Sequence, residues 1–380
     1  MKKAISSKLF AAFLCLSLLL VSCGSNTNVS KDPTPSPSAK TEASVEPSVE
    51  PSVEPTVEPS LEPTSTPSDE QAKTPVSQHG QLKVNGTNIV DANNEIYQLR
   101  GFSTHGIAWF PGIVTKEAFQ TLRDEWKVNS IRLAMYVDEN GNSACYLNNK
   151  ELNKELMTKG IDLCIELGLY VVIDWHVLNP GDPSAYTEEA VKFFEEFAAK
   201  YKDKENIIYE ICNEPNGGNV TWKEVIKPYA DTVITAIRAI DNDAIIIVGS
   251  GTWSQDIHMV KNDLLSDTNV VYALHYYAST HKQWLRDRVK ECYDSGMPLI
   301  VSEFGNCTAS GNGDNNLEEA TAWLELLDSL NIGYYNWSLA NKDEAASVFL
   351  PSTNLGTGKW TDDMLTESGL FFKNWLVNKK

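Results

Sequence analysis

Two short apolar runs in this chain each close on a carboxylate beside a turn former. Ile207 to Pro215 reads IIYEICNEP, and Leu299 to Gly305 reads LIVSEFG. Runs of that length, rich in β-branched residues, have the character of buried strands, and a glutamate at the end of such a strand sits at its rim. Glu214 and Glu303 are therefore the candidate catalytic pair. Two carboxyls facing one substrate can divide the work of acid and nucleophile if their surroundings hold them in different protonation states. Being distant in sequence, they meet only if one architecture carries both strands to the same mouth.

The elements between them supply that architecture. A hairpin comes first, with Leu82-Lys83-Val84 and Asn88-Ile89-Val90 flanking the turn dipeptide Asn85-Gly86. A unit of short apolar strand, polar or aromatic loop and amphipathic helix then recurs. Its strands read Tyr97 to Gly101, Ser130 to Met135, Tyr170 to Trp175, Ile207 to Cys212, Ala244 to Gly249, Val270 to Leu274, Leu299 to Ser302 and Gly333 to Trp337. Among the helices, Leu152, Leu156, Leu163 and Leu167 form a stripe closed by Gly168. Thr221 to Glu224 is a capping box, and Trp323, Leu324, Leu327 and Leu330 form another stripe. These stripes read as packing faces. Strand and helix alternating eight times, without a Gly-x-Gly-x-x-Gly fingerprint, predict an α/β fold: a (β/α)8 TIM barrel over residues 78–380 with an N-terminal β-hairpin.

In such a barrel, chemistry sits at the carboxyl ends of the strands. Those ends carry His105 with Trp109, Arg132 with Tyr136, His176, Asn213 with Glu214, Trp253, His275 with Tyr277, Glu303 and Trp337. Strands spaced ~4.8 Å and tilted ~36° give a barrel radius of roughly 7–8 Å, so glutamates three strands apart bring their carboxyls to roughly 5–6 Å. That separation suits a retaining glycosidase better than the ~6.5–9.5 Å of an inverting one. Glu210, two places before Cys212, reads as a polar group of the barrel interior, and Tyr136 as rim packing.

Asn213-Glu214-Pro215, Glu303-Phe304-Gly305, Arg132 within SIRLAMY, Asp174-Trp175-His176, His275-Tyr276-Tyr277 and Asn336-Trp337-Ser338 together resemble glycoside hydrolase family 5, most closely its bacterial endo-β-1,4-glucanases. The resemblance implies that Glu303 is the nucleophile and Glu214 the proton donor and base. Arg132 and Tyr277 would hold Glu303 ionised, Asn213 would contact the sugar 2-hydroxyl, and His176 and His275 would hold hydroxyls and tune Glu214. Trp337 would floor that subsite, Trp109 and Trp253 would stack neighbouring glucose units, Lys342 and Glu344 would bind hydroxyls on the non-reducing side, and His105 would belong to the same cleft. The chain departs from the family at Phe304, where tryptophan is frequent. A mannanase, xyloglucanase or mixed-linkage glucanase would share the same catalytic residues, and a surface carbohydrate-binding protein on a dead barrel is the reading from another class.

Composition bounds the partners. A net charge of −19 without a basic run or stripe argues against nucleic acid and anionic membrane surfaces and fits an uncharged substrate such as a β-glucan. No cofactor is expected. No metal site is expected either, since no His-Glu-x-x-His occurs. A monomer is expected. Residues 1–22 read as an export signal: Met-Lys-Lys, then an apolar run from Leu9 to Val21. Leu20-Val21-Ser22-Cys23 resembles a lipobox, which makes Cys23 a lipid anchor and its outer-face tether the only membrane association; an ordinary cleaved signal, and so a secreted enzyme, is the alternative. Residues 23–77, with Val-Glu-Pro-Ser recurring and aromatic residues absent, form a disordered acidic linker. The five remaining cysteines have no repeated spacing, so buried free thiols are expected.

Overall fold

The computed structural model describes residues 73–379. The proposed signal, Cys23 and nearly all of the acidic linker lie outside the described residues. Strands β1 (Lys83–Asn85) and β2 (Asn88–Val90) form an antiparallel hairpin. Eight further strands follow: β3 (Arg100–Thr104), β4 (Ser130–Tyr136), β5 (Tyr170–His176), β6 (Ile207–Glu210), β7 (Ile245–Val248), β8 (Val270–Tyr277), β9 (Leu299–Gly305) and β10 (Tyr334–Leu339). They close in sequence order, every pair parallel and β10 beside β3. This is the (β/α)8 barrel that the alternation predicts. It forms because each strand is apolar on its outer face and each amphipathic helix needs a sheet face to cover it.

Alternation along the strands sorts the core. Ile131, Leu133 and Met135 of β4 and Val171, Ile173 and Trp175 of β5 face the helices, within one large apolar cluster. Tyr170, Val172, Ile208, Ile245, Ile247, Val271, Ala273 and Ile300 point inward, and Leu82 and Ile89 of the hairpin join them. The hairpin thus plugs the amino-terminal end of the barrel. Its backbone is held there: Val84 donates to the Asn269 side chain at 2.7 Å, and the Tyr170 hydroxyl to the Gly80 carbonyl at 2.6 Å.

Three expectations shift. Asn85 pairs with Asn88, so the turn is Gly86-Thr87, with Gly86 at φ 61°, a conformation that glycine adopts without a side-chain clash. In the helix Lys150–Leu167 the buried side is Met157, Gly160, Ile161, Cys164 and Leu167; Leu152, Leu156 and Leu163 lie beside it, half-buried. The folded domain begins earlier than residue 78. Thr74 caps the helix Pro75–His79, and Val76 donates to the Gly168 carbonyl at 3.0 Å, so this stretch belongs to the barrel and not to the linker. All five cysteines among the described residues are free and buried.

Candidate active site

Above the apolar plug the inward positions turn polar. Arg132, on β4, has no solvent exposure and reaches four strands at once. It donates to Glu210 Oε2 at 2.7 Å, Asn213 Oδ1 at 2.6 Å, Ser103 Oγ at 3.0 Å and Glu303 Oε2 at 3.4 Å, and lies 3.0 Å from Asp174 Oδ2. Burial opposes its charge, but Asp174, Glu210 and Glu303 hold its pKa above the ordinary value. His176 bonds Asp174 through Nδ1 at 2.6 Å and faces the Asn213 amide through Nε2 at 3.2 Å. Burial keeps His176 far below its usual pKa, hence neutral. Nδ1 then donates to Asp174 and Nε2 accepts from Asn213. Of the two histidines expected to tune Glu214, His275 is the one in hydrogen-bond contact with it, while His176 bonds Asp174 and Asn213.

The placement of Glu303 depends on an irregularity in β9. Ala273 pairs with Ile300 and His275 with Glu303, while Tyr334 pairs with Val301 and Asn336 with Phe304. Both neighbours advance two residues where β9 advances three, which is a β-bulge. Strict alternation from inward Ile300 would turn Ser302 in and Glu303 out. With the extra residue both face the mouth: Ser302 Oγ meets His275 Nε2 at 2.9 Å, and Glu303 Oε1 accepts from the Tyr277 hydroxyl at 2.7 Å. Phe304 points away, fully buried against Tyr276 and Phe372 with ring centroids at 5.2 and 5.1 Å.

Glu214 follows β6 and accepts from or donates to His275 Nδ1 at 2.9 Å. One oxygen of Glu214, one of Glu303 and a nitrogen of His275 lie within 4.8 Å of one another. Burial pushes Glu214 up to about 8 against the pull of Arg132, with Asp174 and Glu210 adding to the rise. Burial and the adjacent Glu214 push Glu303 up to about 7, opposed by His275, Arg132 and the Tyr277 hydrogen bond. Arg132 and the Tyr277 hydroxyl both donate to Glu303 and neither donates to Glu214, so the shared proton belongs on Glu214. Once Glu214 is neutral its repulsion of Glu303 vanishes, which further favours an ionised Glu303. Burial holds His275 down to about 4 despite Glu303, so at neutral pH the ring carries a single proton.

A cleft of about 720 Å³ opens over this pair. His105, Trp109, His176, Glu214, Trp253, His275, Tyr277, Glu303, Trp337, Lys342 and Glu344 all line it, while Arg132 and Asn213 lie fully buried and outside its lining. Trp109 follows β3 and Trp253 follows β7, four places away on the ring, so the cleft is walled by indoles on opposite sides of the carboxyls. Glu344 pairs with Lys342 at 2.6 Å and lies 3.9 Å from His105. Trp337 stacks on His176 with centroids 5.4 Å apart, and the Trp337–Ser338 peptide is cis.

The cleft lining goes beyond the roles read from the strand ends. Tyr136 is more than rim packing: it lines the cleft between His176 at 4.1 Å and Trp109 at 4.4 Å. His281 also lines it, four residues beyond Tyr277, whose backbone N–H donates to His281 Nδ1 at 2.8 Å. Ala309, Ser310 and Gly311, in the loop after β9, also line it, and no periodicity marks them. Trp253 is 45% exposed and stands in a turn where Thr252, Trp253 and Ser254 have φ of 53°, 54° and 57°. Three successive non-glycine residues in the left-handed region cost on the order of 1–2 kcal/mol each.

The cellulase (glycosyl hydrolase family 5) family model matches residues 90–343. An endoglucanase from Clostridium saccharobutylicum is 46% identical over 77% of this chain and 64% of its own length, and endoglucanase N from Pectobacterium atrosepticum is 43% identical over 79% and 66%. The chain thus spans slightly less than two-thirds of the length of these curated relatives. Among solved structures, cellulase Cel5C_n superposes with a TM-score of 0.77 at 40% identity, covering 81% of this chain and 95% of that one. The catalytic domain of a Thermobifida fusca endoglucanase Cel5A variant, in complex with cellotetraose, gives 0.76 at 36% identity, covering 80% and 99%.

Proposed function

Because the chain belongs to glycosyl hydrolase family 5, the cellulase family, we propose that it is a retaining endo-β-1,4-glucanase cleaving internal bonds of cellulose and related soluble β-glucans. The observation that carries this reading is the approach of Glu214 and Glu303, with an oxygen of each within 4.8 Å. That leaves no room for a water to attack between carboxyl and sugar, and it fits a carboxylate that attacks carbon itself.

In the first step Glu303 attacks the anomeric carbon while Glu214 gives its proton to the departing glycosidic oxygen, leaving a glycosyl ester on Glu303. In the second, Glu214, now a carboxylate, takes a proton from water, whose oxygen displaces Glu303. Tyr277 and Arg132 hold the two Glu303 oxygens and aim them. Arg132 holds the Asn213 carbonyl and His176 Nε2 accepts from its amide, so the side chain proposed to meet the 2-hydroxyl is fixed in orientation from behind the cleft. Trp337 lies under the same sugar, Trp109 with His105, Lys342 and Glu344 binds one arm of the chain, and Trp253 the other. Binding on both sides of the scissile bond supports endo action.

Changing Glu303 to alanine tests the assignment. Hydrolysis of carboxymethylcellulose is expected to fall by at least about 10⁴-fold, with azide restoring a product of inverted anomeric configuration on an activated cellobioside. Absence of rescue would remove Glu303 from the nucleophile's role. Comparing rates on cellulose, glucomannan and xyloglucan separates a glucanase from its mannan- and xyloglucan-cleaving counterparts. The lysine-led apolar N-terminus and the Leu20–Cys23 lipobox support export and tethering through Cys23 to the outer face of the cell membrane. Cys23→Ala would then move the enzyme from the membrane fraction to the medium, and unchanged partitioning would sink the anchor.

A further inference from the structure

Glu214 sits in a segment without regular structure, yet acid catalysis needs its carboxyl placed to within a fraction of an ångström. Its own N–H donates to the Val177 carbonyl at 3.1 Å and its carbonyl accepts from Asn216 Nδ2 at 2.9 Å, while the residues on either side of it are both held from one further turn. The Ser254 hydroxyl donates to the Asn213 carbonyl at 2.7 Å, and the Trp253 N–H donates to the Pro215 carbonyl at 3.1 Å. The two bonds bracket Glu214 from the residues before and after it. Both come from the left-handed turn Thr252–Ser254, and both need its unusual backbone to point an N–H and a hydroxyl the same way.

The surroundings are shaped for this contact. A Cβ on Gly249 would stand 2.4 Å from the Cys212 carbonyl, 2.8 Å from Pro215 Cδ and 2.8 Å from Ser254 Oγ. Only a bare backbone there lets the turn lie flush on the Glu214 segment. On its outer side the turn is tied down again: Thr252 Oγ1 donates to Asp256 Oδ2 at 2.6 Å, and Arg288 donates to the Gln255 carbonyl at 2.9 Å and to Asp256 Oδ1 at 3.1 Å. Strain held by so many bonds, next to a working group, marks a functional constraint.

We propose that the Thr252–Ser254 turn is a positioning device for Glu214, with Ser254 as a positioning residue that no strand-end pattern reveals. It also joins two tasks. The turn that displays Trp253 to the leaving half of the glucan is the turn that holds the acid, so sugar stacked on the indole stiffens the proton donor at the bond it serves. The inference rests on the acid role of Glu214 proposed above.

The test uses the full-length enzyme, Ser254→Ala and Ser254→Gly, with cellopentaose and a dinitrophenyl β-cellobioside as substrates. The aryl glycoside has a leaving group that needs no proton; the oligosaccharide does. Loss of the hydroxyl should lower kcat on cellopentaose about tenfold (~1.4 kcal/mol) with little change in KM, and lower the glycosylation rate on the aryl glycoside less than about twofold. Equal losses on both substrates would overturn the proposal. The glycine variant relieves the left-handed strain without restoring the hydroxyl, so it covers the case in which the alanine variant fails to fold. Wild-type turnover of cellopentaose by Ser254→Gly would overturn the proposal as well. A wild-type enzyme inert on both substrates would instead sink the functional reading itself.

Discussion

At the scale of residues, four carboxyls and one guanidinium are packed together beneath the cleft, and two of the carboxyls, Glu214 and Glu303, open onto it. Glu303 and Glu214 work as a pair holding one proton, so activity requires a pH at which the pair has lost its first proton and kept its second. The rate profile for kcat/KM should therefore be bell-shaped. Tyr277 lowers the pKa of Glu303 by donating a hydrogen bond to it. Tyr277→Phe removes that bond, raises the Glu303 pKa and should move the acidic limb to higher pH; an unmoved acidic limb would contradict the geometry. Arg132→Met tests the network beneath. Removing one partner of a buried ionic cluster costs ~3–5 kcal/mol, measured by denaturant unfolding. Asp174 already stands at about 7, Glu214 at about 8, and without the cation each would rise further. A carboxyl with a raised folded pKa destabilises the fold as pH climbs from its unfolded value towards the folded one. The wild type stops losing stability near pH 7–8 while the variant goes on losing it, so the deficit should widen from pH 6 to pH 9.

At the scale of elements, the bulge in β9 decides where the nucleophile points. The sequence places Glu303 just past an apolar run, and that is enough to nominate it. Period-two alternation would have turned it outward, however, and only pairing with β8 and β10 reveals the extra residue. The end of the same strand touches Tyr277: a Cβ on Gly305 would stand 2.5 Å from its ring. Tyr277 lines the cleft, so its ring would have to shift into that space to make room for the Cβ. Gly305→Ala should therefore displace its hydroxyl from Glu303, lowering kcat on cello-oligosaccharides about tenfold or more with the same alkaline shift of the acidic limb as Tyr277→Phe. A loss of activity without that shift would place the damage elsewhere.

At the scale of the whole molecule, the barrel separates its two ends. Leu82 and Ile89 seal one with apolar surface, and the other is left open and polar. The short helix Pro75–His79 is packed against the turn after the helix Lys150–Leu167, where Gly168 leaves no space for a Cβ beside Thr74. A chain beginning at Lys73 should cleave soluble glucan as the full chain does. One beginning at Gln81 loses that helix and should melt several degrees lower at similar kcat, since roughly 1 kcal/mol shifts a domain larger than 250 residues by about 2 °C. Equal melting temperatures would show that the helix contributes nothing to the fold.

Local pattern alone determined the strand-and-helix alternation, the barrel it closes into and the rim residues at its mouth. All of these follow from side-chain periodicity and from turn chemistry within a few residues. Tertiary contact decided the inward turn of Glu303, the partners of His176, the left-handed grip beside Glu214 and the place of Thr74–His79 in the barrel domain. Each of those depends on what a neighbouring strand or turn offers to a backbone group or side chain, and no spacing along one segment records its neighbour's register.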